Sequence, residues 1–364
     1  MSRQYTNLVD ARQSGSSGRG QEDAPRFRPG NEPEWARIIA RVTRERQNAP
    51  AAGLSVRHVE VGPEDSGQRI DNFLLRMLKG LPRTRLYRLL RKGEVRVNGG
   101  RVKPVYRLCA GDAIRLPPVH GLRSDGGTTV PPRVLKVLEQ SILFEDDRLL
   151  VLNKPAGLAV HGGSGIAFGV IEALRRLRTD HPFLELVHRL DRETSGCLLI
   201  AKRRSTLRRL HELIRAGGLE KRYLALLAGR LPRGAVPVEA PLDPDSRRDG
   251  ERTVSVVRGG KHARSVFRRR RIIGEYSLAE VSIDTGRTHQ IRVHAAHIGH
   301  PLAGDSRYGD AVVNEQVRAR GLKRMFLHAS MVSFRDAVDG QRTFEAPLPD
   351  DLGNLLEALA GGRT

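Results

Sequence analysis

A segment rich in proline and glycine, residues 118–138, constrains the fold of this chain more than any other feature. Such segments rarely continue a helix or a strand, so we predict a linker between two separately folded regions. The chain has 364 residues, which is enough for two or more domains. The sequence therefore predicts a small domain over residues 55–117 and a larger domain over residues 139–361.

The first 54 residues differ from the rest in composition. They are rich in Gly, Ser, Arg, Pro and Gln and show no sustained apolar periodicity, which predicts a disordered basic arm. The arm lacks the apolar core of a signal peptide, and no stretch of about 18 apolar residues follows. The two cysteines, Cys109 and Cys197, have no partner at metal or redox spacing. We expect a soluble, cytoplasmic protein without membrane contact.

The charge balance is strongly basic. The chain carries 63 Lys and Arg against 41 Asp and Glu, a formal net charge of +22. That excess favours a polyanionic partner, with nucleic acid first and an acidic membrane surface second. A generally basic composition would give the same total without any partner, so the local clustering of charge has to decide.

The charge clusters in the small domain. Ile70, Phe73, Leu74 and Met77 recur at helical spacing, and a second helix is predicted over residues 83–92. A solvated helix face is the alternative interpretation, but neighbouring charges of one sign repel each other without a partner. We predict that the cations of the second helix contact RNA phosphates: Arg83, Arg85, Arg88, Arg91 and Lys92.

In the larger domain, short apolar strands alternate irregularly with amphipathic helices, the clearest over residues 166–177 and 203–216. This pattern predicts an α+β fold on a mixed sheet rather than a regular succession of βαβ units. Three polar clusters interrupt the apolar strands, and each contains residues that could carry chemistry.

The first cluster, residues 188–196, lies between two strand-like segments. Asp191 is its central residue and has Arg189 and Arg192 as sequence neighbours. Guanidinium groups nearby favour an ionised carboxylate, which can act as a nucleophile or a general base. A structural Asp–Arg pair that braces a turn explains the same residues, and the pattern alone favours that interpretation.

The second cluster spans residues 284–294, where a glycine turn leads into alternating polar and apolar residues. The alternation predicts that Arg287, His289 and Arg292 face one surface. Three histidines at spacings of three residues follow, but no HExxH pattern, cysteine pair or carboxylate at ligand spacing accompanies them. We therefore predict no metal site, and favour RNA contacts or core hydrogen bonds for these histidines.

The third cluster, residues 220–226, alternates like a strand and places Tyr223 and Ala225 on one face. A tyrosine in this setting is more often a core residue than a functional one. The glycine-rich residues 162–165 precede a helix but lack the Lys-Ser/Thr of a phosphate-binding loop. We predict no cofactor.

These motifs resemble two known families. Residues 67–71, 91–99 and 110–112 are similar to the S4 domain, a small αL-type RNA-binding module. The remaining motifs resemble the RluA-type family of RNA pseudouridine synthases and follow one another in that family's order over about residues 140–350. They are Asn153–Gly157, His188–Asp191 with Thr194–Gly196, Lys221–Ala225, Gly286–His294, His300-Pro301, Gly304-Asp305, Tyr308-Gly309 and Phe326–Ala329.

The resemblance implies a catalytic domain with a central mixed, mainly antiparallel β-sheet flanked by helices. It makes Asp191 the nucleophile, attacking the target uridine at ribose C1′ or at base C6. Arg292 would pair with Asp191, and Tyr223 would stack on the base or take the C5 proton. Arg189 would fill the space that the extruded base leaves in the RNA.

The resemblance also implies the partners. Arg287 and His289 would contact RNA, and the substrate would be uridines of 23S ribosomal RNA, free or in an assembling large subunit. The enzyme would act as a monomer without a metal or organic cofactor.

Three alternatives remain at the level of sequence. The first is a sister synthase of the same family with different rRNA targets, and the second is a non-catalytic RNA-binding or ribosome-assembly factor of the same fold. The third is a nucleoside or glycoside hydrolase, which needs a second carboxylate. Glu193 and Asp284 are available for that role.

Overall fold

The computed structural model describes residues 55–78, 81, 83–118, 130–162, 166–181, 183–248 and 251–361. The predicted arm, residues 1–54, and the middle of the predicted linker, residues 119–129, lie outside the described residues.

Two helices and a three-stranded antiparallel sheet form the first folded unit. As far as the structure describes the chain, its core consists of apolar residues from this unit, among them Phe73, Leu86 and Ile114. Asn98 and Gly99 both have positive φ values, 49° and 78°, which is typical of an Asn-Gly hairpin turn. In chain order the elements are β1 (Arg57–Glu60), a 3₁₀ turn (Pro63–Asp65), α1 (Ile70–Met77), α2 (Arg83–Lys92), β2 (Arg96–Val97) and β3 (Ala113–Leu116), and the strand order is β1-β3-β2.

The second unit is built on one large sheet. In chain order its elements are α3 (Pro132–Gln140), β4 (Ile142–Glu145), β5 (Leu149–Lys154), α4 (Val170–Leu177), β6 (Glu185–Leu186), β7 (Ser195–Ala201), α5 (Arg204–Arg215), β8 (Leu219–Ala228), β9 (Ala235–Glu239), β10 (Leu242–Arg248), β11 (Glu251–Val256), β12 (Arg264–Ile273), β13 (Tyr276–Ile283), α6 (Gln290–His297), α7 (Ala311–Ala319), β14 (Leu327–Asp336), β15 (Gly340–Glu345) and α8 (Asp350–Gly361).

The sheet of the second unit has ten strands in the order β4-β5-β7-β14-β8-β13-β12-β9, with β15 paired to β14 and β6 to β7. The β7–β14 pair is parallel, while the other pairings in this sheet are antiparallel. Strands β10 and β11 form a separate hairpin. The predicted α+β fold with a mixed, mainly antiparallel sheet flanked by helices is confirmed.

Both faces of the large sheet are covered, so every residue of β7 is buried. Its alternate residues enter two different cores: Leu198 and Ile200 pack with Tyr223 on one face, and Leu199 packs on the other. This burial fixes the position of β7, and with it the polar loop that precedes the strand.

One helix begins inside the predicted linker. Helix α3 begins at Pro132, and its Val134 and Leu138 are buried in the main core of the second unit. Proline suits the first helical position because its φ is preset and its missing N–H has no partner to lose there. The two prolines at 131 and 132 therefore start a helix and do not extend the linker to residue 138.

None of the helices among the described residues is long and apolar enough to cross a membrane.

Candidate active site

The loop between β6 and β7 carries Asp191, whose side chain is 19% exposed. The backbone N–H of Thr194 donates to the carbonyl of Asp191 at 3.1 Å and closes the turn. The carbonyl of Arg192 accepts from the backbone N–H of Gly157 at 2.7 Å, so the loop is also held by the segment after β5.

Lys154, at the end of β5, adds a second connection to this loop. The residue is fully buried, and its Nζ donates to the carbonyl oxygens of Pro155, Leu158 and Arg192 at 2.8–3.1 Å. Burial lowers the pKa of Lys154 to about 7. The three carbonyl acceptors favour the protonated form, because an ammonium group has three N–H donors. Lys154, which belongs to the motif Asn153–Gly157, therefore holds the Asp191 loop through the carbonyl of Arg192.

Two histidines attach the ends of the loop to the sheet. His188 Nε2 accepts from the backbone N–H of Leu199 at 3.2 Å, and burial lowers the pKa of His188 to about 3, which keeps it neutral. At the other end, Ser195 Oγ lies 3.0 Å from Nδ1 of the buried His328, whose Nε2 lies 3.1 Å from the carbonyl of Ala346. Neutral imidazoles thus complete the hydrogen bonding of buried backbone groups around the loop.

Arg292 lies beside Asp191, with Nη1 at 3.5 Å from Asp191 Oδ2. The predicted pairing is therefore present as an ion pair at long distance. The stronger partner of Arg292 is Asp305, which accepts from Nε and Nη2 at 2.7 and 2.8 Å in a bidentate pair. Burial alone would raise the pKa of Asp305, but the bonds from Arg292 and from backbone N–H groups hold it below the usual range.

Tyr223 lies on β8 and faces the same space. It is 6% exposed, and its hydroxyl has no hydrogen-bond partner among the described residues. Burial, together with the charge of Asp191, raises the pKa of Tyr223, so the phenol stays protonated.

One cleft brings the predicted catalytic residues together with the residues of the larger domain that are predicted to contact RNA. It is lined by Arg189, Asp191, Tyr223, Arg287, His289 and Arg292. The residues after His289 form helix α6, not an alternating strand, yet Arg292 still reaches the cleft from the first turn of that helix.

The cations of α2 that are predicted to contact RNA are not among the residues that line this cleft. Arg88, Arg91 and Lys92 are exposed, and Arg85 is half-buried. The side chain of Arg83 lies outside what the structure describes.

Within the described part of the chain, no three His, Cys, Asp or Glu residues are grouped so that they could hold a metal ion. The histidines downstream of the cleft take other positions. His294 is buried and lies 3.0 Å from Ser265 Oγ and from the carbonyl of Ala240, while His300 Nδ1 lies 2.8 Å from the carbonyl of Ala228. His297 is exposed.

Comparison with known proteins identifies relatives over most of the chain. The family model described as RNA pseudouridylate synthase matches residues 148–297, and the S4 domain model matches residues 68–114. Ribosomal large subunit pseudouridine synthase C of Yersinia pestis is 49% identical over 311 residues, covering 85% of this chain and 97% of that protein. The protein of the same name from Escherichia coli K12 is 49% identical over 314 residues, covering 85% and 98%.

This chain belongs to the RNA pseudouridylate synthase family. A solved structure, human RNA Pseudouridylate Synthase Domain Containing 4, superposes with a TM-score of 0.52 at 26% identity and covers 62% of this chain and 95% of that one. The enzyme class predicted from the motifs, an RNA pseudouridine synthase with an N-terminal S4 domain, is confirmed.

Two neighbours of the cleft in this pseudouridine synthase escaped the sequence-based assignment of roles. Asp305 holds Arg292, and the Arg292 guanidinium stacks over the Tyr308 ring at 5.0 Å. Both residues lie in short motifs after α6. An aspartate and a tyrosine there give no reason, in the sequence alone, to expect contact with an arginine 13 and 16 positions earlier in the chain. Only the folded structure supplies the contact.

Proposed function

We propose that this pseudouridine synthase isomerises specific uridines in 23S ribosomal RNA, with Asp191 as the nucleophile. The observation that carries the proposal is the position of the Asp191 carboxylate, in one cleft with Arg292 at 3.5 Å and Tyr223 on the adjacent wall. The 49% identical relatives are named for the large ribosomal subunit, which supports ribosomal RNA as the substrate. Modification of ribosomal RNA would place the enzyme in the cytoplasm.

In this proposal the carboxylate of Asp191 attacks the target uridine at ribose C1′ or at base C6. The bond between C1′ and N1 breaks, the uracil ring turns, and a new bond forms between C1′ and C5. The bond between Asp191 and the attacked carbon breaks, which frees the carboxylate, and N1 takes up a proton. The C5 proton then leaves. Arg292 keeps the carboxylate oriented, since Asp305 fixes the guanidinium from its other side. Orientation of this kind is a large part of what an enzyme contributes to the rate.

The other residues of the cleft have matching roles. Tyr223 stacks on the base, and its protonated phenol donates a hydrogen bond. Taking the C5 proton would require the phenolate, which the raised pKa of Tyr223 disfavours. Arg189 is exposed at the rim, where it can enter the space that the extruded base vacates. Arg287 and the cations of α2 supply contacts to phosphates.

The test uses 23S rRNA from a deletion strain, labelled with tritium at uridine C5. Wild-type protein should release tritium, and Asp191→Asn should release none while binding the same RNA. Glu193→Gln is the matched control, because Glu193 lies in the same loop, is 46% exposed and has no role in this proposal. Full tritium release by Asp191→Asn would refute the assignment.

The same assay separates the competing functions. Free uracil in place of pseudouridine would indicate a hydrolase, and loss of activity in Glu193→Gln would add the second carboxylate that such an enzyme needs. Mapping the modified positions along the rRNA distinguishes a sister synthase with other targets.

A further inference from the structure

His289 has an unusual backbone conformation. Its φ of 54° and ψ of 19° place it in the left-handed region, directly before the first residue of α6. In the described part of the chain, only Asn98 shares a positive φ among residues other than glycine. Left-handed residues that carry a side chain concentrate at functional sites, where the surrounding structure imposes the strain. This conformation directs the imidazole of His289 into the wall of the cleft beside Asp191.

The hydrogen bonds of Tyr308 determine which nitrogen of His289 carries the proton. The Tyr308 hydroxyl accepts from the backbone N–H of Val254 at 3.0 Å and lies 2.9 Å from His289 Nδ1. The Tyr308 hydroxyl has no further hydrogen-bond partner among the described residues, which assigns the donor role to Tyr308 and the acceptor role to Nδ1. A neutral imidazole then carries its own proton on Nε2.

The Nε2–H of His289 faces the reacting groups. Nε2 lies 4.0 Å from Asp191 Oδ2, which is beyond hydrogen-bond distance, and no described residue accepts from it. The charged groups around the ring are Asp191 from the loop before β7, Arg292 from α6, and Asp305 and Arg307 from the segment after α6. Burial, the largest influence, lowers the pKa of His289, and the neutral form is therefore the one present near pH 7.

We propose that His289 is a further catalytic residue, whose Nε2–H donates a hydrogen bond to a carbonyl oxygen of the uracil ring held next to Asp191. Tyr308 is its positioning residue, because it fixes the tautomer. This inference rests on the proposed function of Asp191 and adds a second group to it.

The chemistry of uracil explains the need for such a donor. Attack at C1′ forms a bond between C1′ and the Asp191 carboxylate, and the electrons of the C1′–N1 bond leave with the base as a uracil anion delocalised onto its carbonyl oxygens. Attack at C6 instead moves the electrons of the C5–C6 double bond onto O4 as an enolate. In both cases negative charge develops on a carbonyl oxygen, and a preoriented donor stabilises that charge more than it stabilises the neutral ground state. His289 keeps its proton throughout.

The test compares His289→Ala, His289→Gln and Tyr308→Phe with wild type, measuring kcat and KM for tritium release from labelled rRNA. His289→Ala should lower kcat by about 100-fold with KM little changed, which is typical for removal of one such donor. His289→Gln should recover at least tenfold of that loss, because its amide nitrogen can donate from a similar place. His297→Gln is the matched control, since His297 is an exposed histidine at the end of α6, the helix that follows His289, and should behave like wild type.

Tyr308→Phe gives a readout that a purely structural role would not change. A hydrogen bond received at Nδ1 favours the Nε2–H tautomer, so its loss in Tyr308→Phe should raise the share of the Nδ1–H tautomer and lower kcat with KM little changed. Nitrogen-15 spectra of the wild-type protein, with the His289 signals assigned from their loss in His289→Gln, should show the Nε2–H tautomer.

Several outcomes would overturn the inference: kcat of His289→Ala within twofold of wild type, a loss confined to KM, or an Nδ1–H tautomer in the spectra. The tautomer measurement needs only the wild-type protein and one folded variant. A wild-type protein that releases no tritium from rRNA would instead refute the proposed function, which separates the two failures.

Discussion

In the pair formed by Arg292 and Asp305, a residue that lines the cleft is held by a buried partner that does not line it. Asp305 is completely buried and binds two guanidinium nitrogens of Arg292, which leaves Nη1 of that group pointing at Asp191. Breaking a buried pair of this kind by removing one charge strands the other charge in a poorly solvated place.

We therefore expect Asp305→Asn to lower kcat for pseudouridine formation by about 10- to 100-fold, because a displaced Arg292 no longer orients Asp191. The free energy of unfolding should also fall by about 3 kcal/mol. Tritium release and urea denaturation measure the two effects. Glu315→Gln is the control, since Glu315 forms an exposed pair with Arg318 and its loss should change neither quantity. Unchanged kcat in Asp305→Asn would contradict the role given to this residue.

The lowered pKa of Asp305 predicts how the stability of the protein changes at acidic pH. A carboxyl group whose pKa is lower in the folded state stabilises the protein above its unfolded pKa, near 3.9, and this contribution is lost as the pH falls through the folded pKa. Wild-type stability should decline below about pH 4. The stability difference between wild type and Asp305→Asn should shrink over the same range, and urea titrations at several pH values would show it. A constant difference down to pH 2 would mean that Asp305 carries no such linkage.

Lys154 is a second buried residue that holds the surroundings of Asp191, in this case the loop that carries it. Lys154→Met keeps the length of the side chain but leaves the carbonyls of Pro155 and Leu158 without this donor, while the carbonyl of Arg192 keeps only the bond from Gly157. Unpaired buried acceptors cost about 1–3 kcal/mol each, so we expect the free energy of unfolding to fall by at least about 2 kcal/mol. The kcat should fall as well, because the carbonyl of Arg192 belongs to the loop of Asp191. Thermal melting and tritium release test this, and equal melting temperatures would show that the three bonds contribute little.

At the scale of elements, α2 is a helix with one basic face. Arg88, Arg91 and Lys92 are exposed and have no carboxylate partner among the described residues, which suits contact with phosphates. Replacing all three by Gln should weaken RNA binding and reduce the slope of log K against log salt by about 2 to 3. The control replaces three exposed cations elsewhere, Arg318, Arg320 and Lys323, and removes the same charge. If both triple variants weaken binding equally, general charge rather than α2 accounts for the affinity.

The helices that the sequence predicted best are those with a regular apolar stripe. Helix α2 occupies residues 83–92 as expected, and α1 covers Ile70–Met77, where the spacing of Phe73 and Leu74 places both in the core. Helix α4 begins at Val170, four residues later than expected, because the carboxylate of Glu172 accepts from the backbone N–H of Gly169 and fixes the start there.

The candidate site was only partly predictable because its residues are distant in sequence. Motif resemblance assembled Asp191, Tyr223 and Arg292, which the structure places around one cleft. The bond between Arg292 and Asp305, and the contact between His289 and Tyr308, depend on how the segment after α6 folds back. No local pattern encodes that return, since it follows from the packing of the whole sheet.

For the whole molecule, the two folded units have separate interiors. Among the described residues, the core of the first unit contains residues between 61 and 116, and the core around Asp191 begins at Val130. Arg204 of α5 joins the units through Asp65 at 2.5 Å and Gln68 at 3.1 Å. Separate cores joined by a few polar contacts suggest that each unit can fold without the other.

A chain that begins at Val130 tests this division, because Val130, Val134 and Leu138 complete the catalytic core and must be retained. We expect it to unfold in one cooperative thermal transition, and to release tritium from a short RNA with kcat within about threefold of the full chain. Its KM for 23S rRNA should rise and its salt dependence should weaken, since the cations of α2 are gone. A truncated enzyme that modified every rRNA site with wild-type kcat/KM would show that the S4 domain does not contribute to substrate binding. An inactive but folded enzyme would mean instead that the first unit takes part in forming the catalytic cleft.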